Sequence, residues 1–149
     1  MKKFRFGLRP VSVIRAHRES RAREVFANAV RSYVQTEEDL AAVRARVAEF
    51  GATIFASRRE RFEAAEHAIC LAGYRRECAA EIPAERAVIA AKAEMDKRRE
   101  EYLDAHRQLE AVNKLENKSR EAYRLDYNRE EQAQFDDRRP LARKALNGI

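Results

Sequence analysis

Residues 26–57 read FANAVRSYVQTEEDLAAVRARVAEFGATIFAS, and their spacing decides the fold. With Phe26 at heptad position a, the a series is Phe26, Tyr33, Leu40, Val47 and Ile54. The d series is Ala29, Thr36, Val43, Phe50 and Ser57. All but the last are apolar, aromatic or Thr, and Ser57 closes the series. A strict seven-residue repeat keeps one seam of an α-helix facing a partner helix. Beyond Ile54 the apolar stripe moves by one position to Phe55, Phe62 and Ile69, a step that relaxes the supercoil locally. Towards the N-terminus Val11, Ile14, Ala22 and Val25 continue the face at looser spacing. The pattern predicts a first helix over residues 11–75.

A second repeat fills the other half. Val88, Met95, Tyr102 and Leu109 fall at a, with Ala91, Ala105 and Val112 at d; Tyr123 and Ala133 keep the phase. Arg98, Glu116, Ser119 and Asp126 interrupt it, so the seam weakens towards the C-terminus. This predicts a second helix over 85–138 and a tail over 139–149. Between the halves, Gly73 and Pro83 bracket a polar stretch. Proline suits the first turn of a helix rather than its interior, and it biases the preceding residue away from helical geometry. An apex turn at 76–84 follows. Neither stripe can stay exposed, and a short connection makes consecutive helices antiparallel neighbours. The expected fold is all-α: a long two-helix antiparallel coiled-coil hairpin forming a single domain over 1–149. In it Ile54 faces the region of His106, Leu40 that of Glu121, and Phe26 that of Phe135. Gly51 interrupts the first helix, either as a tolerated glycine or as a place of close helix approach.

Composition agrees. The 149 residues carry 38% charged side chains, four glycines, three prolines and no tryptophan, which excludes the frequent turns of a β-sandwich or barrel. No run approaches the roughly 18–20 apolar residues of a membrane-spanning helix. Arg5 and Arg9 break up any secretory leader. Cys70 and Cys78, about 12 Å apart on one helix, are too distant for a disulfide and read as small packing residues in a reducing compartment. The cytoplasm is the expected location.

The net charge of +6 is uneven. Residues 1–35 hold nine Lys or Arg against two acids, while the rest of the chain is close to balanced. A focused basic end suits an acidic partner. Arg15, Arg18, Arg21 and Arg23 cluster there, and i,i+4 pairing such as Arg15 with Glu19 accounts for the charges but not for their concentration. The preceding Phe4-Arg-Phe6-Gly-Leu8-Arg9-Pro10 alternates apolar and basic residues, and Pro10 ends an extended lead-in. A slender hairpin has little interior for those aromatics, so residues 1–10 read as an interaction arm.

Catalytic chemistry finds no support. Scattered glycines make no phosphate-cradling loop. Glu63, His67 and Cys70 share a helix face, but a metal site needs three or four converging ligands and a hairpin offers no cavity for them. The acidic pairs are solvated helix surface, with no burial to perturb them. The chain is expected to be no enzyme, with no cofactor and no small-molecule substrate.

Phe4-x-Phe6-x-Leu8-x-x-Val11, followed by Arg15, Glu19 and Ala22, resembles the N-terminus of the FliJ family of flagellar type III export proteins. Lys114-Leu115-Glu116, Glu131-Gln132 and Phe135-Asp136-Asp137 are similar to that family's C-terminal stretch. The resemblance implies a hairpin like the central stalk of rotary ATP synthases. The end carrying both termini would insert into the hexameric export ATPase, promote its assembly, and link it to the export gate in the membrane and to export chaperones. It would place the chain in the cytoplasm, peripheral to the inner membrane at the flagellar base. On it, Phe4, Phe6, Leu8, Arg9 and Val11 are the foremost partner-binding residues, and Arg15, Arg18, Lys114, Arg120, Arg124 and Glu131 the second tier. Three alternatives stand beside it: a nucleic-acid-binding coiled coil, a scaffolding coiled coil, and the equivalent stalk of a virulence secretion system. Against nucleic acid, Glu19 and Glu24 interrupt the basic stretch, and no continuous basic helix results.

Overall fold

The computed structural model describes residues 3–60 and 63–146, with side chains through Arg138. Two helices account for nearly all of it, α1 (Arg9–Ser57) and α2 (Ala64–Leu146), packed against each other as an all-α hairpin. The chain divides into two compact units. One is Ser20–Asp104, here the turn unit; the other joins Met1–Glu19 to Ala105–Ile149, here the terminal unit.

In the turn unit the first repeat behaves as its spacing requires. All ten a and d residues from Phe26 to Ser57 are half-buried or buried, and Val43 is only 8% exposed. Antiparallel order is read from the contacts, which run up α1 and down α2. Phe26 stacks on Tyr102 with centroids 6.0 Å apart and planes 9° from parallel, and Phe50 lies against Gly73. Arg44 donates to Glu81 at 2.9 Å and to Glu85 at 2.8 Å, and Arg46 donates to Glu77 at 2.9 Å. The two carboxylates raise the Arg44 guanidinium above its already high pKa. A hydrogen bond from Tyr33 to Glu37, 2.7 Å long, likewise raises that phenol.

The turn does not lie at 76–84. α1 ends at Ser57, residues 58–60 form a turn, and α2 has begun by Ala64 and passes through Pro83 without a break. The expected helix limits of 75 and 85 are therefore wrong, and so are the facing pairs drawn from them: Phe26 meets Tyr102, not the region of Phe135. Pro83 and Ile82 are both exposed, so the proline's missing N–H and its ring fall on the solvent side, and no seam contact is lost. Its neighbours on the seam side, Glu81 and Ala84, stay half-buried.

The real turn has local causes. Ser57 Oγ donates back to the Ile54 carbonyl at 2.8 Å, and the Arg59 amide donates to the Ala56 carbonyl at 3.1 Å, tightening the last turn. Beyond it the Arg58-Arg59-Glu60 run offers nothing to bury. In α2 the His67 amide bonds the Glu63 carbonyl at 3.2 Å, and Glu66 lies in the first turn, where a negative charge complements the helix dipole. The shifted stripe is no seam: Phe55 is 61% and Ile69 74% exposed, while Phe62 lies outside the described residues.

The second repeat extends further upstream than its apolar members announce. His67, Tyr74 and Glu81 occupy a, and Cys70, Glu77 and Ala84 occupy d; all six are half-buried. Both cysteines are free thiols, and a hydrogen bond with Cys78 raises the Tyr74 phenol.

The remaining limits shift too. α1 starts at Arg9 and takes Pro10 into its first turn, where a missing N–H costs no helical hydrogen bond. α2 continues to Leu146, through most of the stretch expected to be a tail; residues 147–149, including Gly148, lie outside the described residues. Among the described residues no helix is long and apolar enough to cross a membrane, and no group of three or more His, Cys, Asp or Glu could hold a metal ion.

Candidate partner-docking face in the terminal unit

In the terminal unit the seam changes character. The heptad set by Phe26, carried back towards the N-terminus, places Glu19 and Ser12 at a and Arg15 at d. Glu19 is 8% exposed, and its Oε1 lies 3.6 Å from His106 Nδ1. Arg15 does not pair with Glu19 across one helical turn; its Nη1 donates to the Gln108 carbonyl of α2 at 3.0 Å. Val112, 2% exposed, is the largest fully buried side chain among the described residues.

The lead-in lies back on α2. Phe4 packs on Tyr123 with centroids 5.5 Å apart, and the Arg120 guanidinium sits 5.7 Å from the Phe4 centroid, a cation–π contact. Arg9 reaches Glu116 at 3.4 Å, and Arg120 reaches the same carboxylate oxygen at 3.0 Å. Glu116, read from sequence as an interruption, is therefore the centre of this cluster, its side chain 14% exposed between two arginines. A shallow groove opens beside it, lined by Phe4, Arg5, Phe6, Arg9, Glu116 and Arg120. A second lies along Asn117, Arg120, Glu121 and Arg124.

The eleven candidate residues thus separate by surroundings. Phe4, Arg9, Arg15 and Arg120 make contacts that hold the lead-in and the first turns of α1 against α2. Phe6 and Val11 are half-buried, and the Phe6 carbonyl accepts from the Arg9 amide at 3.2 Å at the start of α1. Leu8 is 43% exposed. Arg18, Lys114, Arg124 and Glu131 are exposed and are the ones presented outward. Beyond Tyr127 every side chain from 128 to 138 is exposed, Phe135 at 59% among them, so this part of α2 has no helix packed on it. Glu116, Tyr123 and Glu19 are the site residues that sequence reasoning passed over. All three stand at a positions; Tyr123 was already in phase, and phase alone could have found Glu116 and Glu19 had acidic residues been admitted to the seam.

Basic side chains thus dominate this end, set around the half-buried Glu116 and a clipped aromatic. The family model described as flagellar FliJ protein matches residues 4–144. The chain belongs to that family. It is accordingly a flagellar export-related protein of the type III class, and the family is a non-enzymatic component of that apparatus. The match takes in both helices, the turn between them and the lead-in from Phe4 onwards. No curated protein and no solved structure matches the chain.

Proposed function

We propose that this FliJ-family chain is a non-enzymatic stalk of the flagellar export apparatus. Its terminal end binds the export ATPase hexamer and promotes the ring's assembly and activity, and the chain links that ring to the export gate membrane protein and to export chaperones. It works in the cytoplasm, at the inner membrane only through its partners. The observation that carries this reading is the family match over residues 4–144. The exposed bases Arg18, Lys114 and Arg124 suit an acidic ring surface, since surface charge steers association and sets its salt dependence. Energy comes from ATP hydrolysis in the ring, and a stalk transmits it by contacting the ring's states unequally.

The test must separate docking from folding. Truncating the lead-in removes Phe4 and Arg9, both engaged with α2, and so disturbs the hairpin as well as any interface. The double variant Arg18→Glu/Arg124→Glu touches only exposed side chains. With the purified cognate ATPase at low salt, two reversed rim charges should weaken binding and stimulation about tenfold, with helix content unchanged. Unaltered stimulation would remove the electrostatic part of the docking face; no binding by the unmodified chain would remove the stalk reading itself.

A further inference from the structure

Residues 3–19 face α2 with a more polar seam than the part of α1 in the turn unit does. Their seam positions are Ser12, Arg15 and Glu19, where the next turns of α1 have Phe26, Ala29 and Tyr33. Contacts that hold them include Phe4 on Tyr123 and under Arg120, Arg9 on Glu116, Arg15 on the Gln108 carbonyl, and Glu19 near His106. Beneath them Val112 is 2% exposed; in the turn unit Val43 is 8% exposed. Apolar burial is the term that resists opening, whereas a partly exposed ion pair returns little more than water does. A segment held this way opens at far lower cost than one held by a continuous apolar seam.

We propose that residues 3–19 form a strap that lifts from α2 by local opening while Ser20–Asp104 stays folded, and that the ion pairs meeting at Glu116 set how firmly it is held. Lifting bares a ready-made strip of α2, with Leu109, Val112, Glu116 and Tyr123 in heptad phase. The Arg9 side chain is 70% exposed, so its pair with Glu116 is open to salt screening, while Glu19 is too buried to feel it strongly. The inference concerns the chain alone and holds whichever partner docks at this end.

Amide hydrogen exchange on the full-length protein tests it. Amides of residues 13–19 should exchange at least about tenfold faster than those of residues 30–50. Raising salt to about 0.5 M should accelerate the first group roughly threefold and leave the second unchanged, which ordinary end-fraying does not do. Glu19→Leu, which places an apolar side chain on the seam, should slow residues 13–19. Arg9→Gln, at an exposed side chain that leaves the fold intact, should speed them at low salt and abolish the salt effect. Equal exchange in both segments overturns the strap, as does salt acceleration shared by both. No response to either substitution overturns the role given to the ionic contacts.

Discussion

The turn unit and the terminal unit use the same two helices and the same heptad, yet they are held together by different chemistry. From Phe26 to Ile54 the seam of α1 is apolar or aromatic apart from Thr36, and the seam glutamates of α2, Glu81 and Glu77, are met by Arg44 and Arg46 from beside it, with Glu85 also bound to Arg44. From Arg9 to Glu19 the charges are inside the seam, and the aromatic clip lies beyond the helix end, at Phe4. Apolar burial scales with area and is not screened by salt, whereas ion pairs trade Coulomb attraction against desolvation. On the strap proposed above, one unit persists while the other opens. A docking end benefits from the second property, because a partner can supply contacts that replace weak internal ones.

The sharpest way to break this contrast is to place one charge in each seam. Val43→Asp buries a carboxylate in the turn unit, and should lower global stability by about 3 kcal/mol or more. The measurement is the midpoint of urea unfolding followed by helix content. Val112→Asp, at an even more buried position, should instead abolish exchange protection in residues 13–19 and leave most of the main transition in place. If Val112→Asp unfolds the chain as completely as Val43→Asp, the two units are one cooperative structure and the contrast fails.

How much of this was legible in the sequence follows the same division. The seam of residues 26–57 was readable because its apolar members recur without a gap, and burial follows it position by position. The upstream half of α2 was hidden because Glu77 and Glu81 occupy seam positions, and a search for apolar periodicity passes over a glutamate that an arginine from the other helix satisfies. Pro83 then drew the turn some twenty residues too far along the chain, since a proline's local preference is visible in sequence while the solvent-facing side of its helix is not. Glu116 and Glu19 were obscured for the same reason as Glu77. The lead-in was recognisable by composition, but its contact with Tyr123 and Arg120 depends on a register that the misplaced turn concealed.

A smaller effect tests that register. A Cβ placed on Gly73 falls 2.8 Å from Cε1 and 2.9 Å from Cζ of Phe50, closer than packed carbons tolerate. Gly73→Ala gains about 1 kcal/mol of helix propensity but must displace that ring, and overpacking of this kind costs about 1–3 kcal/mol. The expected net result is a loss of about 1 kcal/mol in thermal or urea unfolding. A gain would mean that Phe50 swings aside freely and that its contact with the Gly73 backbone does not fix α2 beside the end of α1.

Gly51 sharpens the point by changing the sign. It lies well inside α1, and an added Cβ would meet only Tyr74 Cε2, at an ordinary contact distance of 3.8 Å. Nothing there requires a glycine, so the helix bears the entropic cost of one without a packing return. Gly51→Ala should stabilise the hairpin by about 0.5–1 kcal/mol, partly by restricting the unfolded chain. Two glycines on facing helices near the same turn should thus respond oppositely to one methyl group. If Gly51→Ala destabilises instead, flexibility at that point of α1 serves the fold, and the persistence assigned to the turn unit would have to be withdrawn from its last two turns before Ser57.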